Sequence, residues 1–226
     1  MSEHMALENL TVLDLTRVLA GPFCTMMLAD MGANVIKIEV PKGGDDTRSY
    51  PPFRAKNLNG ERESVYFANI NRNKKGITLN LKAPEGKEIF KELVKKADIV
   101  VENYRPGVMD KLGLGYDVLK EINPRIIYAA VSGFGCYGPY HLRPGYDILA
   151  QAMGGMMSIT GAKGGEPTRA GSALGDILGG LHVTIGILAA VNARTITGKG
   201  QRVDVSLMDS MIAATENTAL KYLETG

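Results

Sequence analysis

The stretch that decides the fold, residues 12–39, reads VLDLTRVLAGPFCTMMLADMGANVIKIE. Its two ends, 12–15 and 35–39, have the short apolar pattern of strands. A Gly-Pro pair opens a helix between them, because proline suits the first helical turn, and Gly32 ends that helix. A strand, a helix and a second strand in immediate succession predict a β-α-β unit, in which the strands are parallel and the crossover is right-handed.

The same alternation continues along the rest of the chain. Further strands are predicted over 76–81, 99–102, 126–131 and 202–206. Helices are predicted over 84–96, 106–111, 116–122, 146–153, 176–194 and 209–223. Polar or glycine-rich segments at 41–62 and 133–145 are predicted to be surface loops. Together these elements indicate an α/β protein with an open, doubly wound, mostly parallel Rossmann-like sheet and helices on both faces.

The composition limits the classes of function. Hydrophobic residues make up 45% and charged residues 22% of the 226 positions, as in a soluble globular protein. The 26 basic residues are balanced by 24 acidic ones, so no polybasic nucleic-acid surface is expected. Aromatic residues are only 6% and tryptophan is absent, which argues against a stacking platform for single-stranded nucleic acid.

Two further features bear on location. Residues 173–191 form the longest apolar run, but Asp176 and His182 interrupt it, so a buried helix is expected and not a membrane span. Cys24 and Cys136 lie too far apart for a disulfide framework or a metal-ligand spacing. No signal peptide is recognisable at the start, so we expect a cytoplasmic protein with reduced cysteines.

Three polar segments are candidates for ligand contact. The first turn, 16–22, lacks the G-x-G-x-x-G pattern, so NAD is not expected; Arg17 there either binds an anion at a helix start or is a solvated loop charge. The basic run 71–75 (NRNKK) reads as a phosphate grip or as an exposed edge. In 102–107 (ENYRPG) the Asn-Tyr pair suits an adenosine, although the proline as a helix start explains the motif equally.

Asp176 is the fourth candidate. It precedes the apolar run 177–181 (ILGGL), where an aspartate commonly caps the start of a helix. The same place suits a nucleophile, because the helix dipole favours the ionised carboxylate and the glycines leave room for a substrate. A carboxylate can attack a thioester and form a covalent intermediate. The local sequence leaves cap and catalyst equally open.

Other catalytic signatures do not occur in the sequence. It contains no G-x-S-x-G motif, so a serine-hydrolase triad is not supported, and no phosphate-binding P-loop. His182 on the apolar helix is expected to be a packed core residue. His4 and His141 have no partner pattern.

Eight segments, taken in order, resemble the class III CoA-transferase family. They are VLDLTRVLAGPF (12–23), GANVIKIE (32–39), NRNKKGITLNLK (71–82), ADIVVENYRPG (97–107), INPRIIYAAVSGFG (122–135), GYDILAQAMGG (145–155), ALGDILGG (173–180) and TGKGQRVDVSL (197–207). One such match is weak evidence, but eight in the same order are specific. That family includes formyl-CoA:oxalate, carnitine, bile-acid and dicarboxylate CoA-transferases.

The resemblance implies an enzyme that moves CoA from an acyl-CoA donor to a carboxylic acid. Asp176 is then the nucleophile that attacks the thioester to give a mixed anhydride, which the returning CoA thiolate converts into an aspartyl-CoA thioester. The acceptor carboxylate attacks next, and CoA ends on the new acyl group. No metal or prosthetic group is implied, since CoA is itself a substrate, but water must be kept from the anhydride.

The resemblance also implies which residues contact CoA. They are Arg17, Val18, Leu19, Ala20, Leu79, Lys82, Asn103, Tyr104, Arg105, Lys111 and Arg143. Those in 79–82 and 103–105 are expected to hold the adenosine and phosphate end. Asp147 matches an acidic residue near the reaction centre and is the second predicted catalytic residue.

Two departures from the family bear on the substrate. Leu19 stands where formyl-CoA:oxalate transferases carry a glutamine that assists the chemistry, and Val40 stands where they carry a CoA-binding arginine. The segments LTRVLAGPF, GDDTR and NRNKKG are closer to transferases of the succinyl or glutaryl type. Dicarboxylate substrates are therefore expected.

The related α-methylacyl-CoA racemases are the alternative enzyme class. They use a histidine with an aspartate for proton transfer, and that histidine belongs immediately before Asp147. Tyr146 occupies its place here. A tyrosine, with an ordinary pKa of about 10, is a poor general base near neutral pH, which favours transfer over racemisation.

Family members are roughly twice as long as this chain. We expect residues 1–5 to be a tag or a disordered start and 6–206 to form a Rossmann-like CoA-binding large domain. Residues 207–226 are expected to form a helix that leads toward a linker and a small domain, neither of which the sequence contains. The alternative to a working enzyme is therefore an inactive CoA-binding fragment, for which the family's homodimer is doubtful.

Overall fold

The computed structural model describes residues 4–54, 56, 60 and 62–225. Its strands are β1 (Thr11–Asp14), β2 (Asn34–Glu39), β3 (Lys75–Thr78), β4 (Ile99–Glu102), β5 (Ile127–Ser132) and β6 (Arg202–Ser206). Its α-helices are α1 (Ala20–Asp30), α2 (Val65–Ile70), α3 (Pro84–Val94), α4 (Val108–Leu112), α5 (Tyr116–Ile122), α6 (Asp147–Met153), α7 (Leu174–Thr197), α8 (Leu207–Ala214) and α9 (Asn217–Thr225). Short 3-10 helices lie at Asp46–Ser49 and Met156–Ile159.

The six strands form one sheet in the order β3-β2-β1-β4-β5-β6, and every neighbouring pair is parallel. The chain moves outward from β1 to β3 and then returns to the other side of β1 with β4. Ligands of such sheets bind where this reversal occurs, at the carboxyl ends of the strands. The predicted Rossmann-like fold is confirmed.

Helices cover both faces of the sheet because adjacent strand residues point to opposite sides. On one face Val12 packs with α1, α7 and α8, and on the other Leu13 packs with α3, α4 and α5. The two clusters are built mainly from valine, isoleucine and leucine, as expected for strands buried on both faces. Their burial anchors the strands whose ends carry the candidate site.

Helix α7 is long and apolar enough to cross a membrane, by its length and composition alone. Its packing indicates a different role: Val183 and Ile187 are fully buried against α1 and the sheet. The expectation of a core helix is therefore met along this face. Leu181, Ile185 and Ile196 lie exposed on the helix.

Three sequence expectations were wrong in detail. Helix α2 was not predicted, although Ser64 caps it: the Ser64 hydroxyl oxygen accepts a hydrogen bond from the Phe67 N–H. The segment 41–62 is not simply a surface loop, because Asp45 and Thr47 are buried at its 3-10 helix. The single helix expected over 209–223 is two helices, since the chain turns at Glu216, whose φ of 58° interrupts helical geometry.

Candidate active site

The turns that follow β1 and β4 meet at the point where the strand order reverses. The Asn103 side chain joins them: its Nδ2 donates to the Arg17 carbonyl at 2.7 Å, and its Oδ1 accepts from the Arg17 N–H at 2.9 Å. Two predicted CoA contacts from segments 86 residues apart are thus held together. The pair fixes the backbone of the turn and leaves the Arg17 guanidinium half-exposed.

The Arg17 side chain has a definite partner. Its Nε lies 2.9 Å from Asp46 Oδ2, and its Nη2 also contacts that carboxylate. The hydrogen bond to Asp46 raises the pKa of Arg17 above its ordinary value. In this structure Arg17 is thus an exposed turn residue whose charge is paired with a carboxylate.

Two glycines let helix α7 pack closely, Gly180 against the start of α1 and Gly179 against Leu207 of α8. A Cβ on Gly180 would lie 2.7 Å from the Ala20 carbonyl oxygen, and one on Gly179 would collide with Leu207. Only glycine permits this separation between α1 and α7. The motif ALGDILGG thus brings the start of α7 beside the turn after β1.

Asp176 is the third residue of α7, and Ala173 is the N-cap. The cap explanation for Asp176 is therefore wrong. Its carboxylate is half-buried and receives no hydrogen bond from the described part of the chain. Burial, together with the nearby charge of Asp147, raises the pKa of Asp176 to about 7.

Asp147, at the start of α6, is fixed by three neighbours. Its Oδ1 accepts from the Gly175 N–H at 2.8 Å, and its Oδ2 accepts from the Gln151 amide at 2.8 Å. The Nε of Arg169 lies 3.6 Å from the same Oδ2. Asp147 thereby ties α6 to the first turn of α7 and places a second carboxylate beside Asp176.

Tyr66 is a neighbour of this centre that sequence analysis missed. Burial raises its pKa to about 12, and the charges of Asp176 and Asp147 act in the same direction. Its ring stacks edge-on with Tyr50, with centroids 6.0 Å apart. The signal that was available is Ser64 before the apolar run 65–70, which is the pattern of a capped helix.

The other predicted CoA contacts differ in their burial. Leu79 and Tyr104 pack on the cluster that contains Leu13, and burial raises the pKa of Tyr104 to about 12. Ala20 is buried and Leu19 half-buried, whereas Val18 has a φ of 67°. The remaining predicted contacts are exposed basic side chains: Lys82, Arg105, Lys111 and Arg143. Of these, Arg143 stacks on the Tyr140 ring at 4.0 Å.

The basic run 71–75 is not a uniformly exposed edge. Arg72 pairs with Asp30 and Lys75 bonds Asn34, both at the surface. Lys74 is buried and donates to Asp14 Oδ2 at 3.1 Å. These cations stabilise the chain around β1 and are already paired.

Histidine and cysteine have no site of their own in the described residues. His182 lies on α7 and is partly buried, and its Nδ1 is buried without a partner among them. His141 bonds the Gly138 carbonyl. Both cysteines are free thiols, and the described part of the chain holds no metal-ligand cluster.

Comparisons with known proteins agree with this arrangement. Over 97% of its length the chain is 48% identical to an acetyl-CoA:oxalate CoA-transferase of Acetobacter aceti, covering 55% of that protein. Over 99% it is 46% identical to the human succinyl-CoA:glutarate CoA-transferase, covering 50% of that protein. The chain thus spans about half the length of the curated relatives it matches.

A solved structure gives the same result for the fold. A CAIB/BAIF family protein from Brucella suis superposes with a TM-score of 0.94 at 45% identity, over 99% of this chain and 59% of that one. The pattern of CoA-transferase family III matches residues 7–226. The resemblance found in eight segments is therefore confirmed over nearly the whole sequence, and the chain belongs to the CoA-transferase family III.

Proposed function

We propose that this chain carries the CoA-binding and nucleophilic half of a transferase that moves CoA from an acyl-CoA to a dicarboxylic acid. The observation that carries the proposal is the Asp176 carboxylate. It is half-buried, lacks hydrogen-bond donors within the described residues, and stands beside the turn after β1. A carboxylate with a pKa of about 7 is more nucleophilic than an ordinary one and is still ionised in half the molecules near neutral pH.

The covalent steps balance without a redox partner. An oxygen of Asp176 attacks the thioester carbon and the carbon–sulfur bond breaks. The CoA thiolate departs, and the acyl group remains on Asp176 as a mixed anhydride. The thiolate then attacks the Asp176 carbonyl carbon and releases the donor acid, forming an aspartyl-CoA thioester. The acceptor carboxylate attacks that thioester, a second anhydride forms, and the thiolate finally attacks the acceptor's acyl carbon and frees Asp176.

The geometry supports CoA as the carrier in these steps. Residues 17–20 and 103–105 lie at the reversal of strand order, the usual ligand position of such a sheet. Exposed cations at Lys82, Arg105 and Lys111 suit the phosphates of CoA. We propose CoA as a substrate with no further cofactor, in a cytoplasmic enzyme.

Arg169 supports a dicarboxylate as the acceptor. Its guanidinium is half-exposed and contacts Asp147, the neighbour of Asp176. A guanidinium there can pair with the second carboxylate of a diacid while the first one reacts. The named relatives act on oxalate and on glutarate, which are both diacids. We propose substrates of the succinyl or glutaryl type, in keeping with Leu19 and Val40.

The racemase alternative has no supporting observation. Tyr146 is the N-cap of α6 and is two-thirds exposed, at 66%. The histidine that such chemistry needs is absent from that position. Exchange of an α-proton in deuterated water without an acceptor acid would nevertheless identify a racemase.

Trapping of the covalent intermediate tests the proposal. The protein is mixed with succinyl-CoA, quenched with hydroxylamine or borohydride, digested and analysed by mass spectrometry. We expect a hydroxamate or a reduced residue at Asp176, and none in Asp176→Ala. The exposed Asp117→Ala variant serves as the matched control and keeps the adduct. An unmodified Asp176, together with undiminished turnover in Asp176→Ala, would refute it.

A further inference from the structure

The turn after β1 contains a strained residue. Val18 has a φ of 67°, in the left-handed region that residues with a Cβ avoid and that β-branched residues avoid most. Such conformations persist only where the surroundings impose them, and they cluster at functional sites. The residues that impose this one are therefore informative about the turn.

The buried ion pair between Lys37 and Asp45 contacts the backbone of this turn. Lys37 Nζ donates to the Thr16 carbonyl at 2.8 Å and to Asp45 Oδ2 at 3.0 Å. The Val18 N–H donates to Asp45 Oδ1 at 3.2 Å. The two side chains thus hydrogen-bond the backbone on both sides of Arg17, Lys37 at residue 16 and Asp45 at residue 18.

The pair is almost completely removed from solvent. The side chains of Lys37 and Asp45 are exposed by only 2% and 1%. Asp45 is itself fixed, because its N–H donates to Glu39 Oε2 at 2.8 Å and its Oδ1 also accepts from the Thr47 N–H and hydroxyl. Removal of two charges from water seldom adds net stability, so such a pair is better explained by the geometry that it imposes.

The backbone of the first residues of the turn is held by hydrogen bonds. The Thr16 N–H donates to Asp14 Oδ1 at 2.8 Å, and Asn103 takes both backbone groups of Arg17. With Lys37 and Asp45 added, the N–H and carbonyl groups of residues 16 and 17 and the N–H of Val18 are all bonded. The strained conformation is over-determined, as a preformed binding surface requires.

We propose that Lys37 and Asp45 are positioning residues that hold Val18 in its left-handed conformation, so that residues 17–20 present one preformed surface to CoA. The inference rests on the proposed function, because CoA is the ligand assigned to that turn. Both side chains are buried beneath the turn, so we expect neither to contact the substrate. Loss of the pair is expected to weaken CoA binding by loosening the turn.

The test uses the double variant Lys37→Met/Asp45→Asn, which removes the ion pair without stranding one buried charge. We expect the Kd for CoA, from titration calorimetry, to rise about tenfold, as for loss of a well-placed buried charge contact. Val18→Gly added to this variant is expected to recover about threefold, because glycine adopts a positive φ without strain. Val18→Ala added instead is the matched control and recovers nothing.

A second measurement separates positioning from stability and from the choice of ligand. Hydrogen exchange without CoA, read by mass spectrometry, is expected to speed up for residues 16–19 in the double variant and to stay unchanged in β4 and β5. If exchange in the turn is unchanged, or if glycine and alanine at 18 act alike, the positioning role is wrong. If the turn loosens while the wild type does not bind CoA, positioning stands and the proposed function fails.

Discussion

Asp14 and Asp176 are the same chemical group in opposite environments. Asp14, at the end of β1, accepts hydrogen bonds from the Thr16 N–H and hydroxyl, from the Thr25 hydroxyl and from Lys74 Nζ. Burial acts to raise its pKa, but Lys74, Lys37 and the hydroxyls outweigh burial and lower the pKa below its ordinary value. Asp176 is less buried, yet its pKa rises to about 7.

The pKa values of the two carboxyls differ because of their hydrogen-bond and charge partners, and not because one is more deeply buried. A fully satisfied carboxylate is a stable anion that anchors the backbone and has little tendency to attack an electrophile. A carboxylate that faces a second carboxylate and no donor is a stronger base and nucleophile. Asp14 thus holds its surroundings in place, whereas Asp176 is the carboxylate that we propose as the nucleophile, and each role can be tested separately.

The largest effect is expected from removal of the reactive carboxylate. Asp176→Ala should lower the CoA-transfer rate by at least about a thousandfold, because no other group supplies the covalent route. Transfer is measured by chromatography of acyl-CoA products, with CoA affinity followed separately. Affinity within about twofold of the wild type is expected, since the carboxylate acts on the acyl carbon and not on the carrier. A rate loss explained by lost affinity would contradict the assignment.

The anchoring carboxylate should matter for folding instead. Asp14→Ala leaves the buried Lys74 charge without its carboxylate and removes one acceptor from two hydroxyls, so the free energy of unfolding is expected to fall by about 3–5 kcal/mol in urea titration. Asp117→Ala, which breaks an exposed pair with Lys120, is the matched control with no measurable change expected. Equal stability of the two variants would remove the contrast between the regions.

Stability should depend on pH through Asp176 in the opposite sense to Asp14. A carboxyl whose folded pKa of about 7 lies above its unfolded value of 3.8 binds more protons in the folded state, so stability falls as pH rises from 4 to 7. Asp176→Asn should therefore be the more stable protein at pH 8, by about 2 kcal/mol after allowance for partial exposure, and equal at pH 4. Urea titrations at both values measure this, and a difference independent of pH would contradict the raised pKa.

The smallest effect concerns substrate choice beside the reactive carboxylate. Arg169→Met should raise the KM for a diacid acceptor about tenfold, as expected for one lost charge-assisted contact, and leave a monoacid acceptor nearly unaffected. Arg54→Met, at a similarly exposed ion pair with Glu63, is the control. Equal changes for both acceptors would mean that Arg169 supports Asp147 and does not select the acid.

Much of the region around Asp14 and the turn after β1 could be predicted from the sequence. The β-α-β pattern located the turn after β1. Eight ordered segments identified the family, and two of those segments contain Arg17 and Asn103. Lys37 was not singled out in the apolar strand 35–39, because its partner Asp45 lies in the next loop. Helix α2 and Tyr66 were missed because the segment before them reads as polar loop, and only Ser64 marks the start.

What the sequence determined by itself is local order: the alternation of strands and helices, the glycines that end or pack them, and the family. These follow from periodicity and chain geometry within a few residues. The tertiary structure alone decided which turns meet and which carboxylate has a raised pKa. Lys74 reaches Asp14 across 60 positions and Asp147 meets the start of α7 across 28, and a pKa depends on such neighbours and on burial. Asp14 and Asp176 are one residue type in the sequence, and the fold gives them different chemistry.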